Sequence, residues 1–239
     1  MKTFIKPKAL QELADRYGWG LPEVEGPVTP KGKGPFIKPV MPSQIYSDAE
    51  LCQWFEWAAR HQSDPYWYDK IMEVRIVLGA GLRIAEVLRL HADDITPEGL
   101  ITIWKSKTRR QRSVKASPEL LPFLRQFSLK MENRPLFGEI TTTRTLQLWW
   151  DECMEAAGIP KHRKRGCHSG RHTYASFELA SGRLNIVELQ AQLGHVSVSM
   201  TLQKYCHAVT LFMYEENKTP KFWAVANPAQ KLRVMEKVS

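Results

Sequence analysis

Two short stretches gather imidazoles, cations and a tyrosine with no carboxylate among them: HSGRHTYAS at residues 168–176 and GHVSVSMTLQKYCH from Gly194 to His207. Groups of this kind suit an anion, and a phosphate is the anion whose geometry they match. His168 and Arg171 are three residues apart, so on a helix they share a face with about 5–6 Å between Cβ atoms. The planar guanidinium of Arg171 can donate to two phosphate oxygens at once, and His168 can share or shuttle a proton beside it. Taken alone, such a pair is equally what the solvated start of a helix shows. Tyr205 is more often a half-buried core residue than a nucleophile. A free phenol titrates near pH 10, so phenolate is scarce at neutral pH unless cations stabilise it.

Other cations could supply that stabilisation. In GAGLRIAEVLRL, Gly79 and Gly81 permit a tight turn before a helix that carries Arg83 in its first turn and Glu86 three residues on. Apolar neighbours should partly bury Arg83, which is costly unless the charge is paired. Glu86 is either its structural partner or the buttress that holds its free edge toward a ligand. KSKTRRQR brings Lys105, Lys107, Arg109, Arg110 and Arg112 together. These are phosphate contacts or solvated charge, with one lysine able to reach a groove and donate a proton. KHRKRG, holding Lys161, Arg163, Lys164 and Arg165, is either a solvated loop or, since it feeds directly into the His168 segment, a contact to a DNA backbone.

The elements that must position these residues are mostly helical. SDAE at Ser47–Glu50 is a capping box before a helix with Leu51, Phe55 and Ala58 on one side. A second helix spans about residues 68–78. LITIWKSKTRRQRSVKA alternates and then turns, giving a hairpin with its tip near residues 108–111. Ser117-Pro118-Glu119 starts a helix to about Lys130. Further helices stop at Gly158, Gly182 and Gly194, and a short last one opens near Ser199. The tryptophans Trp54, Trp57, Trp149 and Trp150 fall in helical patterns and are assigned to the core. Residues 20–42, rich in Pro, Gly and Lys, read as an extended arm. The expected organisation is a basic arm over residues 1–42, a catalytic domain over 43–210 and a tail over 211–239. The fold class is mainly α with a small antiparallel sheet.

The chain has 239 residues, a net charge of +9 and 43% hydrophobic residues, enough for one sizeable core and a surface suited to a polyanion. Cys52, Cys153, Cys167 and Cys206 form no CxxC pair, which suggests free thiols in a reducing compartment. There is no apolar run of the roughly 20 residues a membrane span needs and no secretory leader. The expected setting is therefore the cytoplasm, on nucleoid or mobile-element DNA, with no membrane partner.

Arg83 in GLRIAE, Lys107 in KSKT, His168 and Arg171 in HSGRHTYAS, His195 in LGH and Tyr205 in QKYCH occur in the order used by the tyrosine recombinases, the phage integrase family. The resemblance covers about residues 43–210. It implies the mainly helical catalytic-domain fold of that family and a site-specific recombinase that cleaves and rejoins duplex DNA through a 3′-phosphotyrosyl bond. Carried over, Tyr205 is the nucleophile, and Arg83 and Arg171 clamp the non-bridging oxygens. Lys107 protonates the leaving 5′-oxygen, His168 accepts the tyrosine proton, His195 bonds the phosphate and Glu86 buttresses the site. No metal and no cofactor are expected, since the covalent bond conserves the diester's energy and no carboxylate cluster stands ready for Mg²⁺.

Three features depart from the family's pattern. Gly170 stands where leucine is usual and should delay the helix start. The spacing from His195 to Tyr205 is one residue longer than usual, which on a helix would rotate the tyrosine by about 100°, with Tyr214 as the fallback nucleophile. Most members carry an N-terminal clamp domain where this sequence has only an arm, as expected of either a compact catalytic-domain form or a fragment of a longer enzyme. The implied partners are double-stranded DNA, further copies of the chain as a tetramer on DNA, and DNA-bending accessory proteins, with the apolar tail either packing on its own domain or docking at least in part on a neighbouring subunit. The alternatives are a type IB topoisomerase-like strand transferase and a DNA-binding architectural protein that keeps the fold without cutting.

Overall fold

The computed structural model describes residues 39–104, 111–130, 135–138, 141–163, 165–213 and 221–226. Lys105, Lys107, Arg109, Arg110, Lys164 and Tyr214 lie outside the described residues, as do most of the arm and of the tail.

Helix α1, Asp48–His61, opens on Ser47, whose side chain accepts from the Glu50 N–H while the Glu50 carboxylate accepts from the Ser47 N–H. That reciprocal box satisfies two backbone donors the first turn would otherwise leave unpaired. Its buried stripe is the expected one, with Trp54 and Trp57 joining Leu51, Phe55 and Ala58. Helix α2, Pro65–Ala80, begins earlier than the apolar pattern suggests, since Asp64 caps it and Pro65 fixes its first φ. From Lys70 to Ala80 every residue is buried, which makes α2 the central helix. It ends at Gly81, whose left-handed φ of 64° and near contact with the Tyr174 ring leave no room for a Cβ.

A short helix, α3, covers Ile84–Val87. Strands β1 (Leu100–Ile103) and β2 (Arg112–Lys115) pair antiparallel, with Ile103 opposite Arg112. Helix α4, Leu121–Lys130, starts later than Ser117-Pro118-Glu119 implies. The N–H groups of Leu120 and Leu121 both bond the Ser117 carbonyl, so a turn precedes the regular helix. Helices α5 (Thr143–Ala156), α6 (Cys167–Ala180) and α7 (Ile186–Leu193) follow. Helix α8, Val198–Met213, is much longer than the short helix expected and crosses the anticipated boundary at 210. Helix α9, Lys221–Ala226, ends the described chain.

Two apolar clusters hold these elements. The larger one surrounds α2 with Trp54, Phe127 and Trp150. The smaller one joins Val40, Ile45, Tyr174, Leu189, Leu193 and Tyr205 between α6, α7 and α8. Val40 is only 2% exposed and its N–H bonds the Lys204 carbonyl at 2.8 Å, so the end of the expected arm packs on α8. Within the chain, α9 packs against α1. Phe222 stacks on Phe55 of the same chain at 5.9 Å, and Asp48 accepts from the N–H groups of Lys221 and Phe222. Among the described residues no helix is long and apolar enough to cross a membrane.

Gly170 does not delay α6, which already includes His168. A Cβ at Gly170 would lie 2.2 Å from Trp150 Cη2 and 2.9 Å from Val77 Cγ1, so the tryptophan fills the space a leucine would take. Overpacking of this kind costs about 1–3 kcal/mol. Gly170→Ala should lower unfolding free energy by that amount in urea melts. Adding Trp150→Phe should make the pair less destabilised than the sum of the two single changes, whereas simple additivity would contradict the packing account.

Candidate active site

The site grows from one carboxylate. Glu86 sits on α3 and is 4% exposed. Its Oε1 and Oε2 each accept from Arg112, through Nη1 and Nη2 at 2.8 Å, in a bidentate pair. Arg83 Nη1 donates to Oε1 at 2.9 Å, the Arg83 N–H donates to Oε2 at 2.9 Å, and Arg171 Nη1 stands 3.9 Å from Oε2. Burial alone would raise the Glu86 pKa, but the hydrogen bonds and charge of Arg112, the Arg83 N–H and the Arg171 charge bring it down to about 2. Arg112, read from sequence as a DNA contact, is thus committed to Glu86 and to the Gln192 carbonyl. A bidentate, largely buried arginine has little left to offer a DNA backbone.

Arg171 is 2% exposed and donates to two backbone carbonyls, Gly81 at 2.7 Å and Leu193 at 2.6 Å. The left-handed end of α2 and the end of α7 place those carbonyls, so the guanidinium is fixed by backbone. Burial and the Arg83 charge lower its pKa to about 10, which leaves it protonated at neutral pH.

Tyr205 is completely buried, and its hydroxyl lies 3.0 Å from His172 Nδ1. The His195 ring lies nearly parallel to Tyr205, 6.2 Å away, and His195 Nδ1 is 2.9 Å from Thr201 Oγ1. The longer spacing from His195 therefore does not rotate Tyr205 away from the cluster. Burial pushes the phenol up to about 12 against the opposing charges of Arg171 and Arg83.

His168 lies at the exposed mouth of the site, its ring 4.6 Å from that of His172. His172, one helical turn beyond His168 on α6, was missed from sequence. The i, i+4 spacing in HSGRH was the available signal. All three imidazoles favour the neutral form: partial burial and the neighbouring cations bring His168 to about 4, His172 to about 2 and His195 to about 3.

Gln192 was also missed. Its side chain donates to the Lys115 carbonyl at 2.8 Å and accepts from the Lys115 N–H at 3.1 Å. It also donates to the Tyr174 hydroxyl at 3.0 Å, tying β2 to α6 and α7. The basic run before α6 divides. Arg165 bonds Glu50 at 2.5 Å and lies over the Tyr46 ring. Lys161 pairs with Asp151 at 3.1 Å while staying largely exposed, and Arg163 is exposed. Among the described residues no group of three or more His, Cys, Asp or Glu is arranged to hold a metal ion.

Residues 50–210 match the phage integrase family. The chain belongs to that family. The tyrosine recombinase XerC of Caldanaerobacter subterraneus is 28% identical over 157 residues, covering 62% of this chain and 44% of that protein. XerA of Pyrococcus furiosus is 31% identical over 146 residues, covering 56% and 49%. The chain spans about half the length of these curated relatives. Among solved structures, a XerA recombinase superposes with a TM-score of 0.60 at 27% identity, covering 76% of this chain and 67% of that one. The catalytic domain of bacteriophage HP1 integrase gives 0.53 at 25% identity, covering 69% and 87%. The fold of this integrase-family chain is that of the tyrosine recombinase catalytic domain, mostly helical with one two-stranded antiparallel sheet among the described residues.

Two outcomes follow from the site's charges. Removing the Glu86 charge leaves buried arginines uncompensated, and breaking such a pair typically costs about 3–5 kcal/mol. Glu86→Gln should therefore lose stability of that order in denaturant melts, and a loss under 1 kcal/mol would contradict the anchor. His172 behaves differently with pH. Unfolded, it takes a proton below its ordinary value of 6.5, and folded only near 2. The unfolded state thus binds more protons in that window, and stability falls as pH drops below about 6.5. Thermal melts from pH 7 to pH 4 should show this decline, and His172→Gln should make it shallower without abolishing it, because His168 and His195 are lowered in the same direction.

Proposed function

We propose that the chain is the catalytic portion of a site-specific DNA recombinase of the tyrosine type. The observation that carries this reading is the setting of Tyr205, with its hydroxyl on the neutral His172 and two fixed arginines close enough to favour its anion. In the reaction, Tyr205 Oη attacks the scissile phosphorus. The bond from phosphorus to the 5′-oxygen breaks, and the DNA 3′ end becomes linked to the tyrosine as a phosphodiester. The phenolic proton passes to a neutral imidazole. His172 holds the hydrogen bond in the free chain, and His168, the acceptor the family resemblance implies, stands one turn away. Arg83 and Arg171 stabilise charge on the non-bridging oxygens, work that preorganised donors do without reorganisation. His195 adds a donor to the same oxygens. Lys107 protonates the departing 5′-oxygen, and reversal of the step rejoins the strand.

Duplex DNA as the partner is supported by the fold. XerH, at 24% identity and a TM-score of 0.59, was solved bound to its difH substrate in a post-cleavage complex. The same reading assigns Lys105, Arg109, Arg110, Lys161, Arg163 and Lys164 to the DNA backbone. It also assigns a tetramer of this chain to the recombining complex, with accessory DNA-bending proteins where the site requires them. The net charge of +9 favours backbone binding that weakens steeply with salt.

A pool of nicked duplexes, in which the cleaved strand loses a short fragment and cannot rejoin, should trap a covalent protein–DNA adduct visible on denaturing gels. The adduct should form in EDTA and without ATP, and Tyr205→Phe should abolish it. Duplex binding without any adduct from the wild-type chain would contradict the proposal and favour a DNA-binding protein that does not cut. Exchange of strands between two intact duplexes separates a recombinase from a topoisomerase-like strand transferase.

A further inference from the structure

An open cleft of about 480 Å³ lies beside the buried Tyr205, lined by His168, His172, Lys204, Val40 and Met41 among others. Lys204 precedes Tyr205 on α8, so its side chain points about 100° around the helix from the phenol. Tyr205 turns inward to His172 and His195, while Lys204 opens on the cleft. The backbone there is fixed, because the Lys204 carbonyl accepts from the Val40 N–H at 2.8 Å. Among the described residues no carboxylate pairs with Lys204, and the charges that act on it are Arg171 and Arg83. Glu86, the carboxylate nearest the arginines, is already taken by Arg83 and Arg112.

A half-buried ammonium facing other cations is unfavourable in the free chain. Partial desolvation together with Arg171 and Arg83 lowers its pKa. With the three histidines neutral, Arg83, Arg112, Arg171 and Lys204 stand against Glu86, a surplus of three positive charges. A phosphodiester brings one negative charge, and its five-coordinate transition state brings a second. Repulsion that is unfavourable without DNA becomes attraction as that charge develops, which is the condition for rate acceleration and not merely for binding.

We propose that Lys204 is a further catalytic residue, whose ammonium contacts the scissile phosphate from the cleft it lines with His168 and His172. This rests on the recombinase reading of the same site. The role is electrostatic and differs from proton donation to the leaving oxygen.

The test uses the full chain and the duplex recovered from trapped adducts. Lys204→Met should slow adduct formation at saturating DNA by about 100-fold, in line with losing one positioned donor. The DNA concentration at half-maximal rate should change little, and Lys204→Arg should recover most of the rate. A duplex with sulfur in place of the bridging 5′-oxygen has a leaving group that departs without a proton. The Met variant should be as slow on it, relative to wild type, as on the ordinary duplex. Rescue by the sulfur substrate would make Lys204 the proton donor and overturn the proposal, as would an unchanged rate or a defect confined to DNA affinity.

If the wild-type chain forms no adduct, the recombinase reading fails on its own. Phosphate contact is then read by NMR of the Lys204 side chain in lysine-labelled protein. Its resonance should shift saturably with inorganic phosphate, and an unmoved resonance would overturn the contact itself.

Discussion

The buried carboxylate of Glu86, gripped by arginines from three parts of the chain, is the interaction on which the site depends. Arg83 comes from the end of the α2–α3 turn, Arg112 from the first residue of β2 and Arg171 from the middle of α6. Three guanidiniums would not stay together in a protein interior without an anion, because their repulsion is strengthened by the low local dielectric. One carboxylate cannot neutralise all three, so the cluster keeps a positive excess after Glu86 is satisfied. Arg112 takes both carboxylate oxygens and absorbs most of the carboxylate's capacity. Arg83, the most exposed of the three, retains donors that Glu86 does not occupy. The same contact fixes the base of the hairpin relative to the site, since Arg112 opens β2 and Gln192 clips Lys115 at its other end.

Around this anchor the chemistry is arranged by burial. Neutral imidazoles are hydrogen-bond and proton acceptors, and charged ones are not. By keeping three histidines neutral, the site holds acceptors near a phenol at ordinary pH. The phenol is itself disfavoured as an anion by its complete burial, so the free chain holds Tyr205 in the protonated form. The charges of Arg171 and Arg83 already oppose that burial, and backbone carbonyls hold Arg171 in place before any ligand arrives. In the free chain the smaller apolar cluster holds Tyr205 in place, and residues 39–41 help to close it.

Much of this was legible in the chain. Ser47 with Glu50, the glycine that stops α7, and the pairing of Arg83 with Glu86 are local signals, and the structure places them as the spacing suggests, whereas Gly79 lies inside α2 and only Gly81 makes the turn. The order of Arg83, His168, Arg171, His195 and Tyr205 brought out the family, and these residues do converge. What was not legible depends on contacts between distant segments. Arg112 looks like its basic neighbours in KSKTRRQR, and only its register opposite Ile103 and the approach of α3 show that it belongs to Glu86. His172 gains its meaning from Tyr205 arriving 33 residues later. Gly170 seems a weak point in a helix until Trp150 is seen to occupy its missing side chain. Helix α8 opens within one residue of Ser199, as expected, and its extra length lies at the far end, where it runs on past His207 to Met213.

The central claim is that fixed positive charge lets a buried phenol become the covalent carrier of a DNA end, and the most direct measurement is chemical. After reaction with a nicked duplex and nuclease digestion, peptide mapping by mass spectrometry identifies the residue that keeps a nucleotide. The account predicts a single phosphodiester on Tyr205, joined to a 3′ nucleotide. A nucleotide on Tyr214, on a serine, or on no residue at all would contradict it.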